Sequence, residues 1–259
     1  MALDPAWSPF VADPRRAALF VDLDGSLAPI VVDPASAVPL PAAVDACTRL
    51  AARLGRVAVV SGRPVAFVRH HLPDPAIVVV GEYGLEIDRD GVTIADPRTI
   101  PFEPAVAAAA AEAGRRWPGL TIERKGTIAV TIHWRTAPDA APTPQALADL
   151  AEAHGLARVA GRMACELLPP LPIDKGTAVA ELLAEGDLGV AAFAGDDLGD
   201  LAAFVAVHRW GGAAPGRIAL RVAVASEESP PELLEAADMV VDGPPALAVA
   251  LGALADAVS

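Results

Sequence analysis

Lysine is nearly absent from this chain of 259 residues: of its 20 basic residues two are lysine, at positions 125 and 175, and the rest are arginine. An arginine-rich codon usage accounts for the arginines. The surviving lysines are candidates for places where a compact ammonium is needed and a planar guanidinium will not serve. Cysteine is equally scarce, and Cys47 and Cys165 have neither CxxC nor metal-site spacing, which excludes a cysteine-based metal or redox motif. Basic stretches are missing too. A net charge of -13 gives no footprint for nucleic acid or for an anionic membrane surface. No window approaches ~18 uninterrupted apolar residues, so no membrane-spanning helix is expected. The opening MALDPAWSPFVADPRR lacks a cationic start followed by an apolar block, and no export signal is expected. These absences point to a cytoplasmic protein. Aromatics are few at 4%, so a core has to be built from aliphatic residues.

What is present is a regular alternation. Short apolar runs at 17–23, 57–60, 77–80, 190–194, 219–225 and 239–241 read as strands, and the amphipathic stretches 41–54, 65–72, 177–185, 198–210, 231–237 and 246–257 read as helices. Near-continuous apolar strands separated by helices predict a parallel sheet covered on both faces. Residues 101–168 break the rhythm: a helix (102–117), two alternating strands (120–125 and 127–135), a second helix (144–154), then ARVAG and MACELLP. Pro-rich joints flank this stretch, and Asp90-Gly91 marks a tight turn ahead of it. The expected architecture is α/β, with a core of 1–100 and 169–259 interrupted by a smaller α+β unit.

Open α/β sheets place ligands beyond the carboxyl ends of their strands. The first strand there delivers Asp22 and Asp24; the second, Ser61-Gly62-Arg63; the third, Gly81-Glu82-Tyr83-Gly84; the fourth, Gly195-Asp196-Asp197, with Asp200 one turn further. Lys175 stands just before the helix leading to that fourth strand. Each residue has a plainer reading. An Asp or Ser after a strand often caps the next helix, and Asp196, Asp197 and Asp200 form a plausible capping cluster. Convergence favours a site, because carboxylates that close repel one another unless a cation sits between them. Clustered Asp without His or Cys selects a hard ion, Mg²⁺ over Zn²⁺. Carboxylates, Mg²⁺, a hydroxyl and a lysine at one point suit phosphoryl transfer.

The four stretches resemble, in order, the four motifs of the haloacid dehalogenase superfamily: Asp22-Leu23-Asp24-Gly25-Ser26-Leu27, Ser61, Lys175, and Gly195-Asp196-Asp197 with Asp200. Along nearly its whole length the chain is similar to the trehalose-6-phosphate phosphatase family, in DLDGSLAPI, VVSGRP, GEYGLEI, IERKGTIAVTIHWR, CELLPPLPIDKG, FAGDDLGD and ADMVVDGP. The resemblance implies a Rossmann-like core with an inserted cap that closes over a phosphorylated disaccharide. It implies Asp22 as nucleophile and Asp24 as the residue that protonates the leaving sugar and then activates water. Mg²⁺ is implied on the Asp22 carboxylate, the Asp24 backbone carbonyl and Asp196, with Asp197 and Asp200 close by. Ser61 and Lys175 are implied as phosphate contacts. Glu123, Lys125 and Glu166, with His133 and Arg135, are implied as sugar contacts, and Arg63 and Glu82 as substrate-binding residues at the boundary of core and cap. The chain is expected to act as a monomer. Two positions depart from the family pattern: Tyr83, where His is usual, and Leu201, where an acidic residue is usual.

Three other readings stay open. The substrate is another phosphorylated sugar, such as a glucosyl- or mannosyl-3-phosphoglycerate or sucrose phosphate. The chain is a phospho-accepting receiver domain, although it carries Gly81-Glu82 where such domains place their acceptor Asp and contains an insertion they lack. Or it binds sugar phosphates without turnover, which the intact Asp22/Asp24 pair opposes. Glu123 and Lys125 have a plainer reading as an exposed i, i+2 pair on one strand face, worth little.

Overall fold

The computed structural model describes residues 3–259 except 32, 34, 35, 162 and 228. In chain order, the first part holds α1 (Ser8–Ala12), β1 (Ala17–Val21), α2 (Pro41–Ala51), β2 (Arg56–Val60), α3 (Val65–His71), β3 (Val78–Gly81), β4 (Glu86–Arg89) and β5 (Val92–Ala95). The middle holds α4 (Glu103–Arg116), β6 (Thr121–Lys125), β7 (Ala129–His133), α5 (Pro144–Ala153), β8 (Ala157–Gly161) and β9 (Ala164–Leu168). The last part holds α6 (Lys175–Ala184), β10 (Val190–Gly195), α7 (Leu201–Gly212), β11 (Ile218–Ala225), α8 (Pro231–Ala236), β12 (Met239–Asp242) and α9 (Gly243–Ala257).

The chain divides into two compact units, 1–94 with 173–259, and 95–172. The joints differ by a few residues from those expected at 100/101 and 168/169. Asp96 accepts from the Arg98 N–H (2.8 Å) and starts a 3₁₀ helix, Pro97–Phe102, that runs straight into α4. The Pro-rich stretch after β9 likewise stays with the inserted unit.

In the larger unit eight strands form one sheet in the order β12-β11-β10-β1-β2-β3-β4-β5. Pairing is parallel from β12 through β3 and turns antiparallel at β4. The hairpin at Asp90-Gly91 joins β4 to β5 on the rim of this sheet. Alternation along each strand sorts the side chains between two cores. Leu19, Val21, Val59, Ala192 and Val222 pack with α1, α2, α3 and α9, whereas Ala18, Phe20, Val60, Phe193 and Ala223 pack with α6, α7 and α8. With few aromatics available, aliphatic side chains fill most of both layers. Phe193 meets Phe204 edge to face, with ring centroids 6.1 Å apart. Burial of the two Cys thiols pushes Cys47 up to about 12 and Cys165 to about 11, leaving both as un-ionised packing groups.

The smaller unit is a four-stranded antiparallel sheet, β6-β7-β9-β8. Val130, Ile132, Cys165 and Leu167 pack against Val106 and Ala109 of α4 and Leu147 and Leu150 of α5. Period-two alternation therefore puts Glu123, Lys125, Thr131, His133 and Glu166 together on the face that the two helices do not cover.

Candidate active site

Strand order reverses between β1 and β10, and such a switch point is where an open α/β sheet forms a crevice. Asp22 follows β1, anchored by its N–H to the Ala194 carbonyl (2.9 Å). Asp196 follows β10 directly across the switch. Between Asp22 and Leu27 the chain turns sharply, with the Leu27 and Ala28 N–H groups donating to the Leu23 carbonyl (2.9 and 2.8 Å). Gly25 sits at φ +88° within that turn, and a Cβ there would lie 2.0 Å from Asp196 Oδ2. The glycine is thus what lets the Asp196 carboxylate approach the backbone of the first motif.

Lys175 opens α6, whose start is fixed by a capping box: Asp174 Oδ1 accepts from the Thr177 N–H (2.7 Å) and Thr177 Oγ1 accepts from the Asp174 N–H (2.9 Å). From there its Nζ donates to Asp22 Oδ1 and to Asp200 Oδ1, each at 2.7 Å. All three side chains are buried. Burial drives the Asp22 carboxyl up; Lys175 opposes it, but Asp200, Asp196 and Asp197 add to the rise and leave it well above its ordinary range. Burial pulls the Lys175 ammonium down, and the Asp200 and Asp22 carboxylates more than reverse this. One ammonium does not balance the charge of this cluster.

Oxygens of Asp22, Asp196 and Asp200 lie within 4.8 Å of one another. That donor set is all-oxygen, hard and over-charged, and it fits a divalent hard cation. Asp200 is largely committed elsewhere: Oδ1 accepts from Lys175, and Oδ2 from the Asp196 and Asp197 N–H groups (2.9 and 3.1 Å). Asp197 caps the short 3₁₀ helix Leu198–Asp200, its Oδ1 accepting from the Gly199 N–H at 2.8 Å. The capping reading therefore holds for Asp197 and Asp200, while Asp200 also belongs to the acidic cluster.

Ser61 and Arg63 follow β2. The Ser61 hydroxyl oxygen accepts from the Arg63 N–H (3.1 Å), and Pro64 rather than Ser61 occupies the cap position of α3. Arg63 is buried and reaches the Asp24 carboxylate with two nitrogens. No local pattern in the chain signals that pair, because its members lie on different strand ends. Glu82, also buried, and Tyr83 follow β3 with φ of +48° and +60°.

In the smaller unit the polar face is organised as cross-strand pairs. Lys125 Nζ lies 2.6 Å from Glu166 Oε1, and His133 Nε2 lies 2.8 Å from Glu123 Oε2. The exposed Glu123–Lys125 pair is thus replaced by separate partners, and Lys125 and Glu166 are buried. Thr131, which the sequence reading passed over, donates to Glu166 Oε1 at 3.3 Å. Arg135 lies two residues beyond β7 and is half-buried.

The fold is shared with solved structures of haloacid dehalogenase-like hydrolases. One such hydrolase from Bacteroides thetaiotaomicron superposes with a TM-score of 0.62 at 16% identity, over 91% of this chain and 98% of that one. The C-terminal domain of Candida albicans trehalose-6-phosphate phosphatase superposes with a TM-score of 0.75 at 22% identity, over 98% of this chain and 97% of the other. Within that class, the profile described as trehalose-phosphatase matches residues 20–230, and the chain belongs to the trehalose-phosphatase family. The trehalose-phosphate phosphatase of Mycobacterium avium is 37% identical over 205 residues, which is 75% of this chain and 52% of that protein. A Mycobacterium tuberculosis protein described as an uncharacterized glycosyl hydrolase is 35% identical over 207 residues, 75% of this chain and 15% of its own length. The chain therefore spans about half or less of these longer relatives.

Proposed function

We propose that the protein hydrolyses trehalose 6-phosphate to trehalose and inorganic phosphate through a phosphorylated aspartate. The observation that carries this reading is the acidic cluster of Asp22, Asp196 and Asp200 around the buried ammonium of Lys175, in a chain of the trehalose-phosphatase family. The M. avium relative's name supports the choice of sugar. A carboxylate oxygen of Asp22 attacks phosphorus, and the bond from phosphorus to the sugar oxygen breaks as Asp24 delivers a proton to that oxygen. Asp24 then removes a proton from water, whose oxygen displaces Asp22 and releases phosphate. Ser61 and Lys175 hold phosphoryl oxygens. Asp22, Asp196 and the Asp24 backbone carbonyl would hold Mg²⁺, with Asp200 and Asp197 fixing the loop behind them. When bound, the ion would neutralise charge on the transferring phosphoryl group. Glu123, Lys125 and Glu166, with His133 and Arg135, are the proposed sugar contacts, because carboxylates accept well from uncharged hydroxyls; Glu82 is a further proposed substrate contact.

The test is phosphate release from trehalose 6-phosphate, sucrose phosphate, glucose 6-phosphate and the glycosyl-3-phosphoglycerates, each with Mg²⁺ and with EDTA. Turnover that is fastest on trehalose 6-phosphate and lost in EDTA supports the proposal. A preference for another member of the panel moves the substrate, and no turnover of any member overturns the enzyme reading. Among the described residues no helix is long and apolar enough to cross a membrane. The proposal places the protein in the cytoplasm as a monomer, and light scattering tests the latter.

A further inference from the structure

We propose that Arg63 is a positioning residue acting through Asp24: its two-nitrogen fork fixes the Asp24 carboxylate for proton transfer, and the loop at Glu82–Tyr83 clasps the turn that carries it. This rests on the reading of Asp24 as proton donor and acceptor.

Arg63 Nε donates to Asp24 Oδ2 at 2.8 Å, and Nη2 donates to Oδ1 at 2.9 Å. Two parallel bonds set the plane of the carboxylate as well as its distance, which a single bond from a lysine could not do. The partners are unequal. The Arg63 side chain is 10% exposed and the Asp24 side chain 28%. The guanidinium also lies over the Phe67 ring, 4.7 Å from its centroid, so the arginine is the anchored partner and the aspartate the one it positions.

The backbone of Arg63 is gripped as firmly as its side chain. Its N–H donates to Ser61 Oγ (3.1 Å) and its carbonyl accepts from the Glu82 N–H (3.0 Å). The Tyr83 N–H donates to the Ser61 carbonyl (3.0 Å), and the Tyr83 ring covers Gly62 so closely that a Cβ there would stand 2.6 Å from it. Reaching these bonds puts two successive non-glycine residues, Glu82 and Tyr83, in the left-handed region that side chains with a Cβ disfavour. That strain is retained here where it secures the turn 61–63, and through it Asp24.

A proton donor matters most when the leaving oxygen is basic. The experiment compares kcat/KM for p-nitrophenyl phosphate, phenyl phosphate and trehalose 6-phosphate in wild type, Arg63→Gln, Arg63→Lys, Asp24→Asn and the double variant Arg63→Gln/Asp24→Asn, with melting curves for each. For Arg63→Gln the expected losses are about 100-fold on phenyl phosphate and trehalose 6-phosphate and only slight on p-nitrophenyl phosphate. Arg63→Lys keeps the charge without the fork and should behave the same way. In the Asp24→Asn background the second substitution should cost nothing more, since residues acting as a unit are not additive. The inference is overturned by an equal loss on all three substrates, by a rise confined to the KM of the sugar phosphate, by recovery in Arg63→Lys, or by additive loss in the double variant. If Asp24→Asn itself leaves the leaving-group dependence unchanged, the acid–base reading falls and the inference with it. If only Arg63→Gln leaves it unchanged, the inference alone fails.

Discussion

Lys175 Nζ and Asp22 Oδ1 lie 2.7 Å apart although 153 positions separate them in the chain. Both are buried, and the same ammonium donates to Asp200 Oδ1, also at 2.7 Å. Removing the cation leaves buried carboxylates facing one another, so Lys175→Met should cost about 3–5 kcal/mol, or about 10 °C in Tm at roughly 2–4 °C per kcal/mol. Added Mg²⁺ should restore part of that loss by binding the folded state. Thermal melts with and without the ion check it, and an unchanged Tm would show that the ammonium does not stabilise the cluster.

Asp22→Asn should abolish phosphate release while the fold is kept. An amide fills the same space and can still accept from Lys175, but it cannot act as the attacking carboxylate. Malachite-green assays with far-UV circular dichroism read both properties, and mass spectrometry excludes deamidation back to Asp. Normal turnover by the verified amide would remove Asp22 from the nucleophile role.

Lys125→Met should lower kcat/KM for trehalose 6-phosphate by about 10–100-fold, the range expected for one hydrogen bond to a charged group. Turnover of p-nitrophenyl phosphate should change little, because that substrate has no sugar. Met preserves the packing on β6 but takes the ammonium away from the buried Glu166 carboxylate, so a loss of stability accompanies the change and melting curves confirm that the variant is folded at the assay temperature. Equal losses on both substrates would mean that this pair supports the fold and does not read the sugar.

The Glu185 carboxyl is held below the usual carboxylate range, chiefly by hydrogen bonds from Arg89 (both 2.7 Å), against a smaller opposing effect of burial and with added help from the charges of Arg89 and Arg56. Its folded pKa is therefore lower than its unfolded value of about 4.3, so the stabilisation is present above that pH and is lost as pH falls through the folded pKa. Glu185 is 38% exposed, and Glu185→Gln should destabilise by about 1 kcal/mol or less at pH 7. The gap between the two proteins should close below about pH 4. Urea titrations at pH 7 and pH 3 measure it; a gap that widens in acid contradicts the sign.

Strand ends were legible because a parallel sheet buries both faces of its strands, so apolar runs stop where chemistry begins. Asp22, Ser61, Glu82 and Asp196 could be assigned to strand ends on that basis. The inserted unit was legible from its change of period. Its joints were not, since the 3₁₀ helix at 97–102 belongs to the inserted unit by packing, which no local pattern records.

The sequence by itself determined the α/β class, the acids after β1 and β10, and the singularity of the two lysines, because periodicity and residue type are local properties. Only the tertiary structure decided the partners: Lys175 to Asp22 and Asp200, Arg63 to Asp24, Lys125 to Glu166. Parallel crossovers and sheet register bring these groups together from distant parts of the chain, and charge satisfaction at those meeting points is a property of the packed whole. The same holds for Asp197, whose spacing suits a metal or a cap equally, and whose geometry in the fold is that of a cap.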